Sequence, residues 1–225
     1  MTGKARFLPV AEAYDRWATS YDRQGNPMVF AARRAVAALA ATAEGLGVVE
    51  FGCGTGRNLS LLRRHGARPL WGCDLSEGML AVARERDPTP RLWRQDMAAT
   101  LPLPEGAADL ALFSLSLEHV ARLEGPLAEA RRVVRPGGRI VIAEIHPFLT
   151  LGGVGAHFHD GAGEVRMPSF AHGIADYLNA FAALGLTVAS CREWRARDLG
   201  EGAPSRALKR GPDHPLLLEF SLLRP

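Results

Sequence analysis

The sequence predicts an α/β fold built on an open, mostly parallel sheet with helices on both faces. Three observations carry that expectation. Strand and helix signals alternate five times at βαβ spacing before residue 146. The strands read as nearly continuous apolar runs, as strands covered on both faces do; residues 108–115 (ADLALFSL) are the clearest. The first strand runs straight into glycines at the start of a helix, V48-V-E-F-G-C-G-T-G56.

Residues 28–43 are Ala-rich, with Arg33 and Arg34 on one side, and read as a helix ended by Gly45 and Gly47. Residues 48–51 form the first strand, and residues 57–64 resume a helical pattern that Gly66 stops. Residues 69–73 form a second buried strand closed by Asp74. Ser76 then caps a helix around 79–83 that Asp87-Pro88 breaks. Residues 91–94 are a weaker strand and residues 108–115 the fourth. A helix over 127–134 closes at Arg135-Pro136-Gly137-Gly138, and residues 139–145 are the fifth strand. After His146 the rhythm fails, and residues 146–170 carry glycines, histidines and phenylalanines without a period. A helix over 176–184 follows. Residues 186–194 and 216–223 then read as two strands with no crossover helix between them, so they should pair as an antiparallel hairpin, completing a seven-stranded sheet.

A chain of 225 residues, 47% apolar, can bury a real core as one domain, and 23% charged residues exclude wholesale disorder. Lys and Arg number 27 against 24 acids; the resulting +3 permits a nucleic-acid partner without calling for one. Cys53, Cys73 and Cys191 are isolated, which argues against a disulfide framework or zinc ribbon. The opening residues carry no apolar targeting core, and no apolar run approaches the ~18 residues of a membrane span. The chain therefore reads as soluble and cytoplasmic.

The glycine turn is the strongest chemical signal. Missing side chains let a ligand lie against backbone at a helix N-terminus. Gly52, Gly54 and Gly56 make GxGxG, however, and Arg57 stands where the dinucleotide fingerprint requires its last glycine. Asp74 closes the second strand about twenty positions beyond Gly52, where a carboxylate can accept both hydroxyls of a ribose. Asp96 closes the third strand at the same sheet edge, so the three features converge on one crevice. Either acid alone is equally well a turn or cap residue.

In this order the motifs resemble those of the class I S-adenosylmethionine-dependent methyltransferases that act on small molecules. Tyr14-Asp15-Arg16-Trp17-Ala18-Thr19-Ser20-Tyr21-Asp22 resembles the YDxxAxxYD helix that lids the cofactor. Residues 48–56 match the first motif, Asp74 the ribose acid, Asp96-Met97 the adenine edge, and Val134-Arg135-Pro136-Gly137-Gly138 the turn before strand five. The resemblance implies a Rossmann-like methyltransferase fold with a terminal antiparallel hairpin. It divides the chain into N-terminal lid helices (1–44), a cofactor-binding core (45–145), a substrate lid and helix (146–185) and the hairpin (186–225). It also implies roles. Gly52, Cys53 and Gly54 run beside the methionine moiety, and Glu50 meets the ammonium. Asp74 holds the ribose, Leu75 and Met79 flank the adenine, and Asp96, beside Met97, takes its amino group. Tyr14 and Tyr21 reach the cofactor when the lid closes, and Ser114 offers a backbone contact.

An acceptor nucleophile needs alignment and, for most acceptor types, a base, which histidine suits at neutral pH. His119 and His146, just past strands four and five, are the candidate bases. Phe148, His157 and His172, in the irregular segment, are candidate acceptor contacts, and its scattered phenylalanines suggest a ring-containing acceptor. His157-x-His159-Asp160 has the look of a metal site, but no carboxylate constellation accompanies it, and no metal is expected. The Arg-rich tract Arg192, Arg195, Arg197, Arg206, Lys209, Arg210 is the counter-signal: a solvated face, or a surface for an acidic acceptor or tRNA. The sequence leaves the acceptor, the attacking atom and the oligomeric state open. The alternatives are a tRNA-modifying methyltransferase with the same core and a cofactor-binding protein without methyl turnover.

Overall fold

Period-2 alternation in the central strands sorts the core into two layers. The computed structural model describes residues 5–23 and 25–225. In chain order its elements are β1 (Arg6–Phe7), α1 (Val10–Trp17), α2 (Pro27–Ala40), β2 (Val48–Phe51), α3 (Arg57–Arg64), β3 (Leu70–Asp74), α4 (Glu77–Arg86), β4 (Arg91–Arg94) and β5 (Ala108–Ser114). They continue with α5 (Glu124–Val133), β6 (Val134–Ile145), α6 (Pro147–Thr150), β7 (His157–Asp160), β8 (Gly163–Arg166), α7 (Ile174–Ala183), β9 (Thr187–Arg195) and β10 (Pro215–Leu223).

Seven strands form one sheet in the order β4-β3-β2-β5-β6-β10-β9. The first five are parallel, and β10 runs antiparallel to both β6 and β9. Phe51, Phe113, Ile142 and Phe220 face the layer that holds α5 and α7. Val48, Leu110, Leu112 and Val141 face α2, α3 and α4. The central strands β2, β5 and β6 are thus covered on both sides, as their apolar runs require, whereas the edge strands β4 and β9 are largely exposed. The order reverses at β2, whose neighbours are β3 and β5, and the crevice beyond its carboxyl end is where such sheets bind ligands.

Local chemistry sets several ends. Asn26 Oδ1 accepts the Met28 N–H to start α2, with Pro27 in the first turn. Ser76 Oγ accepts the Met79 N–H at 3.0 Å to cap α4, as its sequence position predicts.

Three expectations are corrected. The region 1–44 is not all lid: α2 packs under the sheet through Ala35, Val36 and Leu39, and among the described residues of the region α1 and the 3-10 turn Tyr21–Arg23 line the crevice. Residues 1–4 and Gln24 lie outside the described residues. The fifth strand starts at Val134 rather than at residue 139, because the Pro136-Gly137-Gly138 turn is taken up as an irregularity in its pairing with β5. The segment 146–170, without a period in the sequence, holds α6 and an antiparallel β7–β8 hairpin, to which β1 adds as a third strand. Its two-residue loop is Gly161-Ala162, and Asp160 Oδ1 accepts the Ala162 N–H at 2.9 Å. Among the described residues no helix is long and apolar enough to cross a membrane.

Candidate active site

The turn after β2 bends back through three glycines at positive φ: Gly52 (+70°), Gly54 (+50°) and Gly56 (+69°). The outer two are held by close approach. A Cβ on Gly52 would stand 2.6 Å from Ser116 Cβ, and one on Gly56 would stand 2.9 Å from Ala83 Cβ. Gly54 differs: a Cβ there would meet no protein atom within 4 Å, although the residue lines the cleft. Gly54→Ala should therefore fold, at a cost of roughly 1 kcal/mol for the left-handed conformation, yet leave a methyl group in the cleft. Calorimetric titration with S-adenosylmethionine should show a loss of about tenfold or more.

Asp74 ties this turn to the next one. Its Oδ2 accepts the Gly54 N–H at 2.8 Å and its Oδ1 the Ser76 N–H at 2.9 Å. Each oxygen keeps a further lone pair for a ligand. Burial raises the Asp74 carboxyl above its usual range, opposed by these two hydrogen bonds. Glu50, almost fully buried, accepts Asn58 Nδ2–H on Oε1 at 2.7 Å, while Oε2 is buried with no partner among the described residues. Burial pushes its carboxyl up to about 8. A buried acceptor with no donor suits a cationic ligand group.

Cys53, Leu75, Met79, Asp96, Met97 and Ser114 line the same cleft. Asp96 is exposed and also accepts the Ala98 N–H at 2.8 Å. The cofactor residues expected from sequence are thus brought to one place, and Tyr14 and Tyr21 close it from above.

The lid is fastened by the two acids of its motif. Asp15 Oδ1 accepts Ser76 Oγ–H at 2.6 Å and the Gly78 N–H at 2.8 Å. Asp22 accepts Thr55 Oγ1–H and Arg57 Nη1–H, each at 2.9 Å, and also pairs with Arg86. Burial would raise the Asp22 carboxyl, but Arg86, Arg57 and Thr55 together hold it below its usual range. The tyrosines of the motif line the cleft, and its aspartates do the fastening.

His119 lines the cleft beneath Tyr14. Its Nδ1 lies 2.8 Å from the Pro168 carbonyl, which can only accept, so Nδ1 carries the proton. Nε2 is therefore free to accept the Tyr14 O–H, at 2.8 Å. Burial, then Tyr21 and Glu118, raise the Tyr14 phenol well above its ordinary value, so it stays protonated as that donor. Neighbouring residues hold the second lid. Glu118 Oε2 accepts Ser169 Oγ–H at 3.0 Å, its carbonyl accepts the Phe170 N–H at 2.7 Å, and the Val120 carbonyl accepts from His172 Nε2 at 2.9 Å.

Other candidates stand apart. His146 is buried; Nδ1 accepts the Phe148 N–H at 3.1 Å, capping α6, and Nε2 faces Glu193 at 3.2 Å. It lines neither the cofactor cleft nor the cavity beside it. Phe148 is 61% exposed and meets His214 edge-on, and His172 supports Tyr177 and Val120; both are outside these spaces. His157 alone of the three acceptor candidates lines the neighbouring cavity. Asp160, the proposed third member of a metal group, pairs with Arg6. Sequence reasoning missed Leu115, which lines both spaces at a φ of +57°. Non-glycine residues in that region cluster at functional sites, but an apolar residue ending an apolar strand gives no outward sign of it.

Residues 49–142 match the model of the methyltransferase domain family. Over that stretch, somewhat under half of its length, the chain is similar to methyltransferase domains. It is 34% identical over 148 residues to a demethylmenaquinone methyltransferase of Tropheryma whipplei, a match covering 61% of this chain and 60% of that one. It is 35% identical over 136 residues to a malonyl-[acyl-carrier protein] O-methyltransferase of Pectobacterium atrosepticum, covering 60% and 53% respectively. The chain thus spans little more than half the length of these curated relatives. Among solved structures, an S-adenosylmethionine-dependent methyltransferase from Mesorhizobium loti superposes with a TM-score of 0.67 at 25% identity, over 86% of this chain and 98% of that one. Arg57, where the dinucleotide fingerprint has its last glycine, holds Asp22 through its guanidinium, a contact a glycine could not make.

Proposed function

We propose that the chain transfers the methyl group of S-adenosylmethionine to an O, N or C nucleophile of a small, ring-containing acceptor. The observation that carries this reading is a pair of cavities with a common wall. Tyr14, Tyr21 and Leu115 line both the cofactor cleft and a second space of about 420 Å³. The cofactor supplies an already activated, electrophilic methyl group. Alignment and exclusion of water are left to the protein, and fixed geometry contributes up to roughly 7–11 kcal/mol in ideal cases. Gly54 and Glu50 would take the methionine end, Asp74 the ribose, and Met79, Leu75 and Asp96 the adenine.

His119 would receive the acceptor's proton. Its Nε2 lone pair is turned to the common wall, where Tyr14 stands in front of it. A proton leaving the acceptor passes to the Tyr14 oxygen as the phenolic proton passes to His119, whose imidazolium the Pro168 carbonyl then supports. His119→Ala should lower turnover by about 10²-fold or more while changing S-adenosylmethionine affinity by no more than about twofold. Equal losses in both would remove His119 from the chemistry.

S-adenosylmethionine with a labelled methyl group, incubated with the protein and either the small metabolites or the tRNA of the host, tests the whole reading. Label in an organic-extractable small molecule is the expected result. Label in tRNA, or in nothing despite cofactor binding, would overturn it. The arginine tract leans to the small-molecule side, because three of its six members are engaged locally. The Arg192 guanidinium lies 3.6 Å above the Trp194 ring, Arg195 pairs with Glu193 at 3.0 Å, and Arg197 pairs with Asp213.

A further inference from the structure

Of the three members of that tract left over, Arg206, Lys209 and Arg210, Arg206 lines the second cavity. The cavity has an ordered polarity. Its rim is cationic or potentially so, with Arg206, His157 and His159 all exposed. Its depth is aromatic: Trp17 is 3% exposed and stacks on Phe158 at 4.9 Å between centroids, with Tyr21 edge-on to Trp17. The Trp17 indole N–H is a buried donor with no partner among the described residues. The one acid of the lining, Glu118, is buried at the inner side, beside the wall shared with the cofactor cleft. An anion entering there would meet Glu118, whereas at the rim it meets Arg206.

We propose that this cavity binds a small planar, apolar molecule carrying one anionic group, with the anion at Arg206 and the hydrogen-bearing nucleophile inward against Tyr14 and Glu118. The aromatic walls take the ring faces, and a rim guanidinium suits a carboxylate or sulfonate oxygen pair. Oriented this way, the acceptor presents its nucleophile, not its charge, to the wall shared with the cofactor. The inference rests on methyl transfer for its purpose, but its test does not.

Two fluorescent probes share one skeleton: anilinonaphthalene sulfonate, which is anionic, and N-phenylnaphthylamine, which is neutral. The sulfonate should bind roughly fivefold to tenfold more tightly than the neutral probe, and Arg206→Glu should erase that preference while leaving the neutral probe's affinity unchanged. Val154→Trp, which fills the cavity from its lid side, should weaken both probes in a protein whose thermal melt shows it folded. S-adenosylmethionine should displace neither. An unchanged preference in Arg206→Glu, full binding in Val154→Trp, or displacement by S-adenosylmethionine would each overturn the proposal. Calorimetry with S-adenosylmethionine on the same samples keeps the two readings apart: failure there removes the methyl-transfer reading and leaves the probe result standing.

Discussion

Asp74→Ala lowers affinity for S-adenosylmethionine by about a hundredfold or more. Hydrogen bonds to a charged acceptor contribute roughly 1.5–3 kcal/mol each, and a ribose offers two hydroxyls to this carboxylate. The fold is touched as well, because the same oxygens accept the Gly54 and Ser76 N–H groups. Leaving those donors without partners should lower the melting temperature by a few degrees, about 2–4 °C per kcal/mol in a domain of this size. Asp74→Asn separates the two effects. It keeps one acceptor oxygen for the turn, so stability largely returns, while cofactor affinity stays low. Calorimetry and thermal melts on both variants check this; cofactor affinity unchanged in Asp74→Ala would remove the cleft assignment.

Cofactor affinity rises with pH through Glu50. Its carboxyl is pushed up to about 8 by burial, against an ordinary 4.5. The folded state without ligand therefore holds a proton that the unfolded chain has released. The sign follows: this group's contribution to stability is fully present below pH 4.5 and is lost as pH rises through about 8. A cationic ligand reverses the preference, since it stabilises the ionised carboxylate. Affinity for S-adenosylmethionine should climb by up to about tenfold per pH unit between pH 6 and 8. Glu50→Gln keeps an oxygen for Asn58 but should bind weakly and without that pH dependence. Glu144 is likewise pushed up to about 8 by burial, but it lies outside the cleft and accepts the Ser116 and Leu117 N–H groups. The fall in stability with pH should therefore persist in Glu50→Gln while the slope in affinity disappears. A pH-independent wild type would show that Oε2 meets no cation.

The parts legible in the sequence are those whose cause is local. Strand β2 and helix α3 fall on the residues that an apolar run and glycine stops mark out. Ser76 announces its helix because a hydroxyl there can reach Met79 N–H. The glycine turn is legible because left-handed φ admits few other residues. The acids behind it are legible because strand ends in a parallel sheet share one edge.

His119 and His146 show where that reasoning stops. Both follow a strand end, and nothing in their neighbourhoods separates them. Tertiary packing does. One has its free nitrogen against Tyr14, about a hundred residues away in sequence, and the other spends its nitrogens on Phe148 and Glu193. The β7–β8 hairpin is a second case, because its edge is completed by β1, more than a hundred residues earlier, and its base is tied to Glu118 and His119. Alternation over four residues is too short to mark such a strand against its background. The chain alone therefore specified the sheet, its glycine turn and the acids that face it, since these follow from backbone geometry and short-range pairing. Only the folded structure decided which histidine lines the cleft beside Tyr14 and which residues shape the second cavity. Those depend on side chains distant in sequence converging under two lids, and no local pattern encodes that convergence.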